Sequence, residues 1–457
     1  MRQLRIGKSG LHGEISNGLT PKILIDYSCA FGSIMEQQTV VVAIDNRISS
    51  EMILNAVQSA LFSTGCNVIN LGVCPAPILS YAIKKYNASG GLLIGATHHP
   101  FNWNAVIPFS ENGQIFDAMR QQELLDIYHS KNYDFVNWDQ LGTNIEINEN
   151  IYEEYVDYIL KNVNIKAIKK HHYTIIADFC NGAGVETAKI IAERLNLNLI
   201  SINDTKSGFL PHKPEPRPRS AMQIKPLILP LKADIGFVFN SDMSRVSVVS
   251  DTAETLSEEY TFALIADYLV KKINSDKKRT IVTNLCSSKM IDFICQQNNI
   301  QLIKTAACPA DIADLMDSHK ALLAGEGCGS VQFKHLKTYD SFMVMITLIE
   351  AIALEGASIA ERVKSNLPKY HIVKRKFNVS LANGYAIIKR FRSHFTDAKI
   401  ITEGDGIRFD WDDGWIYLRN SLSEGGIRLI VEWSSKQIAK EKALIVYGIL
   451  KEYYHAG

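Results

Sequence analysis

Runs of apolar residues that end in a polar side chain recur along this chain. Three of them are rich in β-branched residues and end at a side-chain oxygen, that of Asp45, Asp178 or Asn284. A helical pattern of apolar positions follows each run, over residues 50–63, 184–195 and 289–298. Strand, polar loop and helix in this order make the βα unit of a sheet whose faces are covered by helices. The pattern therefore predicts three related α/β domains in series.

Further elements fill these three domains. The pattern predicts strands over residues 66–72, 90–94, 233–240 and 321–325. It predicts helices over residues 78–86, 150–161, 222–231, 257–273 and 342–354. Four prolines between residues 211 and 218 rule out a helix, so we expect an extended loop there.

After Pro368 the pattern changes. Alternation of apolar and polar positions, typical of antiparallel strands, appears over residues 407–412, 415–419 and 427–433. Ser434 or Ser435 then begins a last helix that reaches about Tyr454. The fold class is therefore α/β, with three related domains followed by a small α+β domain. The predicted boundaries are residues 1–150, 151–250, 251–366 and 367–457.

Composition and charge exclude several classes of protein. The 457 residues carry 49 basic and 48 acidic side chains, which argues against a nucleic-acid or membrane-surface partner. The short basic runs at 277–279 and 374–376 are expected to be solvated surface. The longest apolar run, 342–354, contains Glu350 and is too short to span a bilayer. Eight scattered cysteines without a CxxC pair, and a start without an apolar signal core, indicate a cytoplasmic protein with reduced thiols.

The stretch from Gly95 to Phe109 places a hydroxyl directly after a predicted buried strand. Thr97 follows the run at residues 90–94, and the chain then breaks at Pro100. A small hydroxyl at a strand end is a common position for a nucleophile or a phosphate carrier. The alternative that the local sequence leaves open is a plain turn in which Thr97 caps a backbone group.

Six loops, in order along the chain, carry short motifs. The first three are IGKSGLHG at 6–13, DNRISS at 45–50 and GATHHP at 95–100. The others are NSDMSR at 240–245, GEGCGS at 325–330 and RNSLSE at 419–424, the last followed by Arg428. Together they resemble the α-D-phosphohexomutase family, which includes phosphoglucomutase, phosphomannomutase and phosphoglucosamine mutase. The corresponding family motifs are F-G-T-S-G-L-R-G, D-x-R-x-S-S, T-A-S-H-N-P, D-G-D-x-D-R, G-E-x-S-G-H and R-x-S-G-T-E.

The resemblance implies four domains around a central cleft, three with mixed sheets and a fourth that closes over the phosphate of the substrate. In the family, a phosphoserine gives its phosphoryl group to a sugar phosphate, the bisphosphorylated sugar reorients, and its other phosphate returns to the serine. Such transfer needs a hydroxyl carrier, Mg²⁺ held by carboxylates, proton-transferring groups and a clamp on the second phosphate. The resemblance places Thr97, His98, His12 and Arg245 at catalytic positions.

The chemical parts of the family are changed in this chain. Thr97 replaces the serine and adds a methyl group that crowds an in-line attack. Where the family has three metal-binding aspartates, this chain has Asn240, Asp242 and Ser244, and Mg²⁺ prefers anionic oxygen. Three further family positions, an arginine, a lysine and a histidine, are here His12, Ile107 and Ser330.

The binding parts are retained. The resemblance implies a phosphate cup, with guanidinium forks suited to bidentate contact, formed by Arg419, Ser421, Ser423 and Arg428. The sugar loop keeps Glu326, accompanied by Cys328 and Ser330. Arg47 and Arg245 also remain.

Three hypotheses follow. The first is a relative that binds a phosphorylated sugar or another phosphate ligand, with the mutase chemistry lost or strongly impaired. The second is an active mutase that uses Thr97, with Mg²⁺ as its cofactor. The third is a different enzyme in the same cleft that uses His12, His98 or His99 as acid and base. No cofactor is expected under the first hypothesis, and the sequence leaves the oligomeric state open.

Overall fold

Four β-sheets, one after another along the chain, form the frame of the protein. The structure, a computed structural model, describes residues 4–7, 9–273, 279–403, 406–421 and 425–455. The sheets contain six, four, four and five strands in chain order. This arrangement confirms the predicted fold class of three related α/β domains followed by a fourth, smaller one.

The first sheet occupies the N-terminal part of the chain. Its strands are Leu4–Gly7 (β1), Gly10–Glu14 (β2), Thr39–Ile44 (β3), Asn67–Val73 (β4), Gly90–Ile94 (β5) and Trp103–Ser110 (β6). Its helices are Pro21–Ile34 (α1), Ser50–Ser63 (α2), Ala76–Lys85 (α3) and Ala118–Ser130 (α4). The strand order is β1-β2-β6-β5-β3-β4. β3 pairs in parallel with β4 and β5, whereas β6 runs antiparallel to β5.

The second sheet begins after two helices, Ile151–Leu160 (α5) and Ile165–Lys169 (α6). The strands are Thr174–Asp178 (β7), Asn198–Ile202 (β8), Ile235–Phe239 (β9) and Val246–Val249 (β10), in the order β10-β9-β7-β8. The helices between them are Val185–Leu195 (α7) and Lys225–Ile228 (α8). β7 pairs in parallel with β8 and β9, and β10 runs antiparallel to β9.

The third sheet repeats this plan. The strands are Thr280–Asn284 (β11), Gln301–Thr305 (β12), Leu323–Glu326 (β13) and Ser330–Phe333 (β14), in the order β12-β11-β13-β14. The helices are Glu259–Lys272 (α9), Lys289–Gln297 (α10), Pro309–Ser318 (α11), Ser341–Glu355 (α12) and Ile359–Asn366 (α13). β11 pairs in parallel with β12 and β13, and β14 runs antiparallel to β13. All three sheets therefore share one four-strand pattern, as the repeated apolar runs predict.

The fourth sheet is antiparallel throughout. Its strands are His371–Phe377 (β15), Lys399–Glu403 (β16), Gly406–Asp410 (β17), Gly414–Asn420 (β18) and Ile427–Trp433 (β19), in the order β15-β19-β18-β17-β16. Leu381–Phe391 (α14) and Lys436–His455 (α15) pack with it. The hydroxyl oxygen of Ser435 accepts a hydrogen bond from the backbone N–H of Ile438 at 3.5 Å, so of the two predicted caps it is Ser435 that begins the last helix.

The first three domains share one apolar core. A continuous cluster of buried side chains runs from Val41 through the residues of α3, α5 and α7 to Leu367. The second face of the first sheet has its own cluster, and so does the fourth domain. Parallel strands covered by helices on both faces are almost continuously apolar, which explains why their sequence runs are so easily recognised.

The helix predicted over residues 222–231 is wrong in extent. The structure has a 3₁₀ turn at Ser220–Met222 and then only the four-residue helix α8. Pro226 and Pro230 explain the difference, because neither can donate a backbone hydrogen bond and Pro230 ends the helix before it can lengthen.

The apolar helix α12 is a core helix. Its residues from Ser341 to Ala351 are buried inside the third domain. Within the part of the chain that the structure describes, no single helix is long and apolar enough to cross a membrane; α12 and α13 meet that length and composition only as a pair bent by 81°.

Candidate functional site

Three of the six motif loops occupy the same position, each in one of the first three sheets. Each is the turn between the two antiparallel strands of the shared pattern: residues 95–102 between β5 and β6, 240–245 between β9 and β10, and 327–329 between β13 and β14. These turns also touch one another. The hydroxyl of Ser241 donates to the carbonyl of Thr97 at 3.2 Å, and the N–H of Val246 donates to the carbonyl of Gly329 at 3.0 Å.

The polar residue at the end of each central strand shapes the next turn. Asp45, Asp178 and Asn284 each accept a hydrogen bond from the backbone N–H two residues on, at 3.0, 2.9 and 2.9 Å. Such side-chain turns end a strand without leaving a backbone donor unsatisfied. The strand-end oxygens found in the sequence are therefore structural, and they place the motif loops beside one another.

Arg47 fixes the loop that carries Thr97. Its guanidinium is almost fully buried, pairs with Asp45 at 2.9 Å, and donates to the carbonyls of Pro100 at 2.7 Å and His99 at 2.9 Å. Planar arginine forks suit such multiple contacts. Arg47 thus positions the loop and, in this structure, is fully engaged by protein groups.

Thr97 itself has an unusual backbone. Its φ of 42° lies in the left-handed region, which a β-branched residue adopts only at a cost. Its hydroxyl lies 2.8 Å from Nδ1 of His98. A strained residue in a cleft is a candidate functional position, and the neutral imidazole beside it is able to accept the hydroxyl proton.

Three histidines form a stack beside Thr97. The ring centroids of His98 and His99 are 4.6 Å apart, His99 lies 4.9 Å from Trp103, and His12 lies 5.4 Å from His99. Burial lowers the pKa of His12, and burial together with the charge of Arg245 lowers the pKa of His98 well below its usual range. The lowered pKa values keep the imidazoles of His12 and His98 uncharged at neutral pH, so these two side chains cannot replace the cationic groups of the family motifs.

The 240–245 loop is closed by its own hydrogen bonds. The amide nitrogen of Asn240 donates to Oδ1 of Asp242 at 2.6 Å and to the hydroxyl of Ser244 at 3.0 Å. The hydroxyl and the N–H of Ser244 also donate to the same Oδ1, at 2.6 and 3.1 Å. The backbone N–H of Arg245 donates to Oδ1 of Asn240 at 2.9 Å, which fixes the orientation of that amide. The amide N–H₂ group of Asn240 thus lies between Asp242 and Ser244, the side chains that would have to ligate a cation.

This donor set is a poor match for Mg²⁺. The ion requires near-ideal octahedral oxygen ligation and is bound in proteins mainly through carboxylates. Asp242 supplies one carboxylate, and burial raises its pKa. Among the described residues, no group of three or more His, Cys, Asp or Glu side chains is arranged to hold a metal ion.

The sugar loop is built around a buried carboxylate. Oε1 of Glu326 accepts from the amide of Asn284 at 2.6 Å. The thiol of Cys328 lies 3.8 Å from Oε2 of Glu326 and 3.4 Å from the hydroxyl of Ser330. Burial raises the pKa of Cys328 to about 11, so the thiol is a weak polar group here and not a nucleophile.

The phosphate cup is partly described. Arg419 at the end of β18 faces Arg428 of β19 directly across the two strands. Two guanidiniums side by side on neighbouring strands are suited to bidentate contact with an anion. The N–H of Ser421 donates to the carbonyl of Gly426 at 2.9 Å, which forms the turn beside them; Ser423 lies outside the described residues.

Arg428 lies close to the loop that carries Thr97. Arg428 is among the charges that lower the pKa of His98. A Cβ on Gly425 would lie 3.9 Å from the guanidinium of Arg5 in β1, so the fourth domain reaches the first. Ile107, at the position of the family's lysine, lies in β6 and is buried in the apolar core.

Lys374 is a residue whose role the sequence does not indicate. The run 374–376 is predicted to be solvated, but the ammonium of Lys374 bonds to Glu258 at 2.8 Å, to Glu259 at 2.9 Å and to the carbonyl of Gly327 at 2.7 Å. Only a glycine fits at 327, because a Cβ there would come within 2.4 Å of the Glu259 carboxylate. The prediction is therefore wrong for Lys374, which ties the fourth domain to the sugar loop. In the sequence, the one signal for this contact is that two acidic residues, Glu258 and Glu259, stand next to each other.

Comparisons with known proteins agree with this geometry. Three family models, described as phosphoglucomutase/phosphomannomutase alpha/beta/alpha domains I, II and III, match residues 3–134, 153–253 and 257–370. The chain is 30% identical over 455 residues, 98% of each chain, to a "Probable phosphoglucosamine mutase" of Pyrococcus horikoshii. It is 28% identical over 453 residues, again 98% of each, to a "Phosphoglucomutase/phosphomannomutase" of Thermococcus kodakarensis.

Solved structures share the fold. A phosphoglucomutase/phosphomannomutase family protein from Burkholderia thailandensis superposes with a TM-score of 0.83 at 19% identity, covering 98% of both chains. An N-acetylphosphoglucosamine mutase from Aspergillus fumigatus, solved with glucose 1,6-bisphosphate, superposes with a TM-score of 0.58 at 12% identity, covering 98% of this chain and 95% of that one.

Proposed function

The chain belongs to the phosphoglucomutase/phosphomannomutase family, and we propose that it binds a phosphorylated sugar in its cleft with the metal-dependent mutase chemistry lost or strongly impaired. One observation carries the proposal: the amide of Asn240 donates to both Asp242 and Ser244. The loop that would hold Mg²⁺ has its own hydrogen bonds to Oδ1 of Asp242 and to Ser244, while Oδ2 of Asp242 is buried without a hydrogen-bond partner among the described residues.

The energetic argument concerns what Mg²⁺ would have to displace. Oδ2 of Asp242 accepts no hydrogen bond from any residue that the structure describes, so a cation can reach this buried carboxylate without breaking the bonds to Oδ1. To ligate Asn240 and Ser244 as well, the ion must displace the bond that the amide of Asn240 donates to the hydroxyl of Ser244 and compete with the N–H of Arg245 for the amide oxygen. In return it gains one carboxylate, whereas Mg²⁺ gives up its water reluctantly. Binding at physiological metal concentrations is therefore not expected.

Loss at the transfer end extends beyond the metal loop. Ile107 offers no proton, and the imidazole of His12 is buried and neutral. Phosphoryl transfer depends on neutralising charge around the moving group. Without a metal, that charge is left to the guanidiniums near His98, those of Arg245 and Arg428, and is only partly balanced.

The binding end supports the other half of the proposal. Arg419 and Arg428 stand side by side on neighbouring strands, and bidentate arginine is well suited to phosphate. Glu326 is held by Asn284 beside the cleft, where it is able to accept hydroxyl hydrogens. A ligand with both a phosphate and sugar hydroxyls fits this pair of features.

The test combines a binding assay with an activity assay. Isothermal titration calorimetry with glucose 6-phosphate, mannose 6-phosphate and glucosamine 6-phosphate should detect binding, and titration with MgCl₂ should not. Coupled assays should find no interconversion of the 1- and 6-phosphates, and the intact mass should show Thr97 without a covalent phosphate. Saturable Mg²⁺ binding together with turnover would refute the proposal.

An active mutase that uses Thr97 is the second candidate. The 2.8 Å contact between the Thr97 hydroxyl and His98 favours it, because a neutral imidazole is able to activate a hydroxyl. Under this candidate, turnover persists in the unaltered protein and is abolished in Thr97→Ala. A cleft enzyme that relies on His12, His98 or His99 instead would keep its activity in Thr97→Ala and lose it when the histidine is replaced.

A further inference from the structure

A cavity of about 310 Å³ lies between α3, α5 and the segment that joins β14 to α12. None of the six motif loops contributes to its lining. Its size is at the lower end of the range for small-molecule sites. The cavity is therefore large enough for a ligand and distinct from the cleft.

Aromatic rings form one side of this cavity. The ring centroid of Tyr81 lies 5.1 Å from that of Tyr158 and 5.9 Å from that of Tyr155. Hydrogen bonds fix two of these rings: Tyr158 donates to the carbonyl of His335 at 2.8 Å, and Tyr155 donates to Asp340. The side is therefore rigid, and a flat ring that stacks on it loses little freedom in the protein.

The charged side chains of the cavity are mainly lysines. Lys85 is neutralised by Glu154, and Lys337 by Asp317 at 2.7 Å. Lys84 is exposed and forms no ion pair with another described residue. An ammonium group without a carboxylate partner, next to an aromatic surface, suits a ligand that joins a ring to a phosphate, since lysine binds phosphate as a point charge.

The cavity is linked to the 240–245 loop through two helix starts. Pro77 lines the cavity, and its neighbour Ala76, the first residue of α3, donates its N–H to the carbonyl of Asp242 at 3.1 Å. Asp340 lines the cavity as the cap of α12, and its neighbour Ser341 donates its N–H to the carbonyl of Met243 at 3.0 Å. A ligand in the cavity therefore contacts both helices that hold this loop.

We propose that this cavity binds a nucleoside monophosphate, with the base against Tyr81 and Tyr158 and the phosphate at Lys84. Bound there, the ligand steadies the 240–245 loop through the starts of α3 and α12. The site is independent of the cleft, and it stands whether or not the proposed function holds.

The first test is calorimetry of the full chain with adenosine 5′-monophosphate. Base stacking on an aromatic side chain contributes about 1–3 kcal/mol, so Tyr81→Ala should lower the affinity about fivefold or more. Lys84→Glu, a change at an exposed position that leaves the fold intact, should lower it similarly. The matched controls are Tyr385→Ala and Lys189→Glu, at exposed positions on α14 and α7, and they should bind as the unaltered chain does.

Two further arms separate this site from the cleft. Adenosine and ribose 5-phosphate each carry half of the ligand and should each bind more weakly than the nucleotide. Nucleotide binding should survive Arg428→Ala, and glucose 6-phosphate binding should survive Tyr81→Ala. Hydrogen exchange of the amides at 240–245 should slow on nucleotide addition. The site is refuted if no nucleotide binds at millimolar concentration, if both cavity variants bind it normally, or if Arg428→Ala abolishes its binding; unchanged exchange would refute the link to the loop.

Discussion

Two of the places where this molecule buries carboxylates balance the charge differently. In the 240–245 loop, Oδ1 of Asp242 accepts from neutral donors, the amide of Asn240 and the hydroxyl and N–H of Ser244, while Oδ2 has no hydrogen-bond partner in the described part of the chain. Where the fourth domain meets the sugar loop, Glu258 and Glu259 are balanced by the full charge of Lys374. The first network lies within one turn of six residues, whereas the second joins two domains.

The difference shows which part of the site depends on charge. Neutral donors bind Oδ1 of Asp242 and the guanidinium of Arg245 acts on the same carboxylate, so its charge is compensated in part without metal. The Lys374 contact needs its cation, because removing one partner leaves the other charges buried and unpaired. The fourth domain is thus tied to the third by ion pairing, whereas the 240–245 loop is held mainly by hydrogen bonds from neutral groups.

The largest expected effect is the loss of the Lys374 contact. Lys374→Met leaves two buried carboxylates without a cation, and such a change typically costs about 3–5 kcal/mol. Urea unfolding followed by tryptophan fluorescence reports on the fourth domain, because Trp411, Trp415 and Trp433 all lie there. The matched control Lys389→Met, on the exposed face of α14, should unfold like the unaltered chain. Equal midpoints for the two variants would mean that Lys374 is not needed to hold the domain.

The next effect is on ligand binding. Arg428→Ala should weaken the binding of glucose 6-phosphate by about tenfold or more, since a hydrogen bond to a charged group contributes about 1.5–3 kcal/mol. Calorimetry measures it directly, with Arg392→Ala, an exposed arginine at the end of α14, as the control. Unchanged affinity in Arg428→Ala would place the ligand elsewhere.

The sequence predicts the strands of this protein better than its contacts. The runs ending at Asp45, Asp178 and Asn284 are parallel strands buried on both faces, so their composition alone identifies them. The geometry of the loops that form the site is harder to predict from the sequence, because it is decided by contacts with residues distant in sequence. Lys374 reads as a surface lysine until β15 is seen beside Glu258, 116 residues away.

The motif loops illustrate the same limit. Counting carboxylates in 240–245 predicts a weak metal site, but it does not predict that the amide of Asn240 takes the position between Asp242 and Ser244. That result depends on the N–H of Arg245, which holds the other end of the amide. The equivalence of the three hairpin turns likewise becomes visible only once the strand order of each sheet is known.

Adding a carboxylate to the 240–245 loop should convert its hydrogen-bond network into one that requires a cation. Asn240→Asp places a second carboxylate against Asp242, and like charges at this distance cannot both ionise without cost. We expect a loss of about 1–3 kcal/mol in the absence of metal, with partial recovery of the melting temperature in millimolar MgCl₂. Asn240→Ala removes the amide without adding charge, so its stability should not respond to MgCl₂. Equal responses of the two variants to MgCl₂ would show that the added carboxylate is not what binds the ion.

The stability contributed by the Lys374, Glu258 and Glu259 network should depend on pH. Burial raises the pKa of Glu259 to about 7, against the charge of Lys374 and with the charges of Glu258 and Glu432. Because this pKa is higher in the folded state than its ordinary 4.5, the group stabilises the fold at low pH, and that contribution is lost as the pH rises through about 7. In calorimetric melting, the unaltered chain should lose folding stability as the pH rises from 4.5 to 7. Glu259→Gln should lose about 1–2 kcal/mol less over the same range. Identical slopes would mean that Glu259 does not titrate in this range.

The smallest effect concerns Thr97. At a φ of 42° its branched side chain crowds the backbone, and serine, which lacks the extra methyl group, should relieve part of that strain while keeping the hydroxyl beside His98. We expect Thr97→Ser to gain about 0.5 kcal/mol in stability, measured by urea unfolding, whereas Thr97→Val keeps the branching and should gain nothing.

The same serine variant also tests the comparison between the two networks. If activity requires a charged metal loop, restoring the carrier alone leaves Thr97→Ser without turnover, because groups that act as a unit have effects that do not add. The least combination expected to begin Mg²⁺-dependent interconversion adds Asn240→Asp and Ser244→Asp, which make the loop anionic, together with Ile107→Lys, His12→Arg and Ser330→His. Turnover in Thr97→Ser alone would instead mean that the neutral loop is sufficient for transfer and that the methyl group of Thr97 was the obstacle.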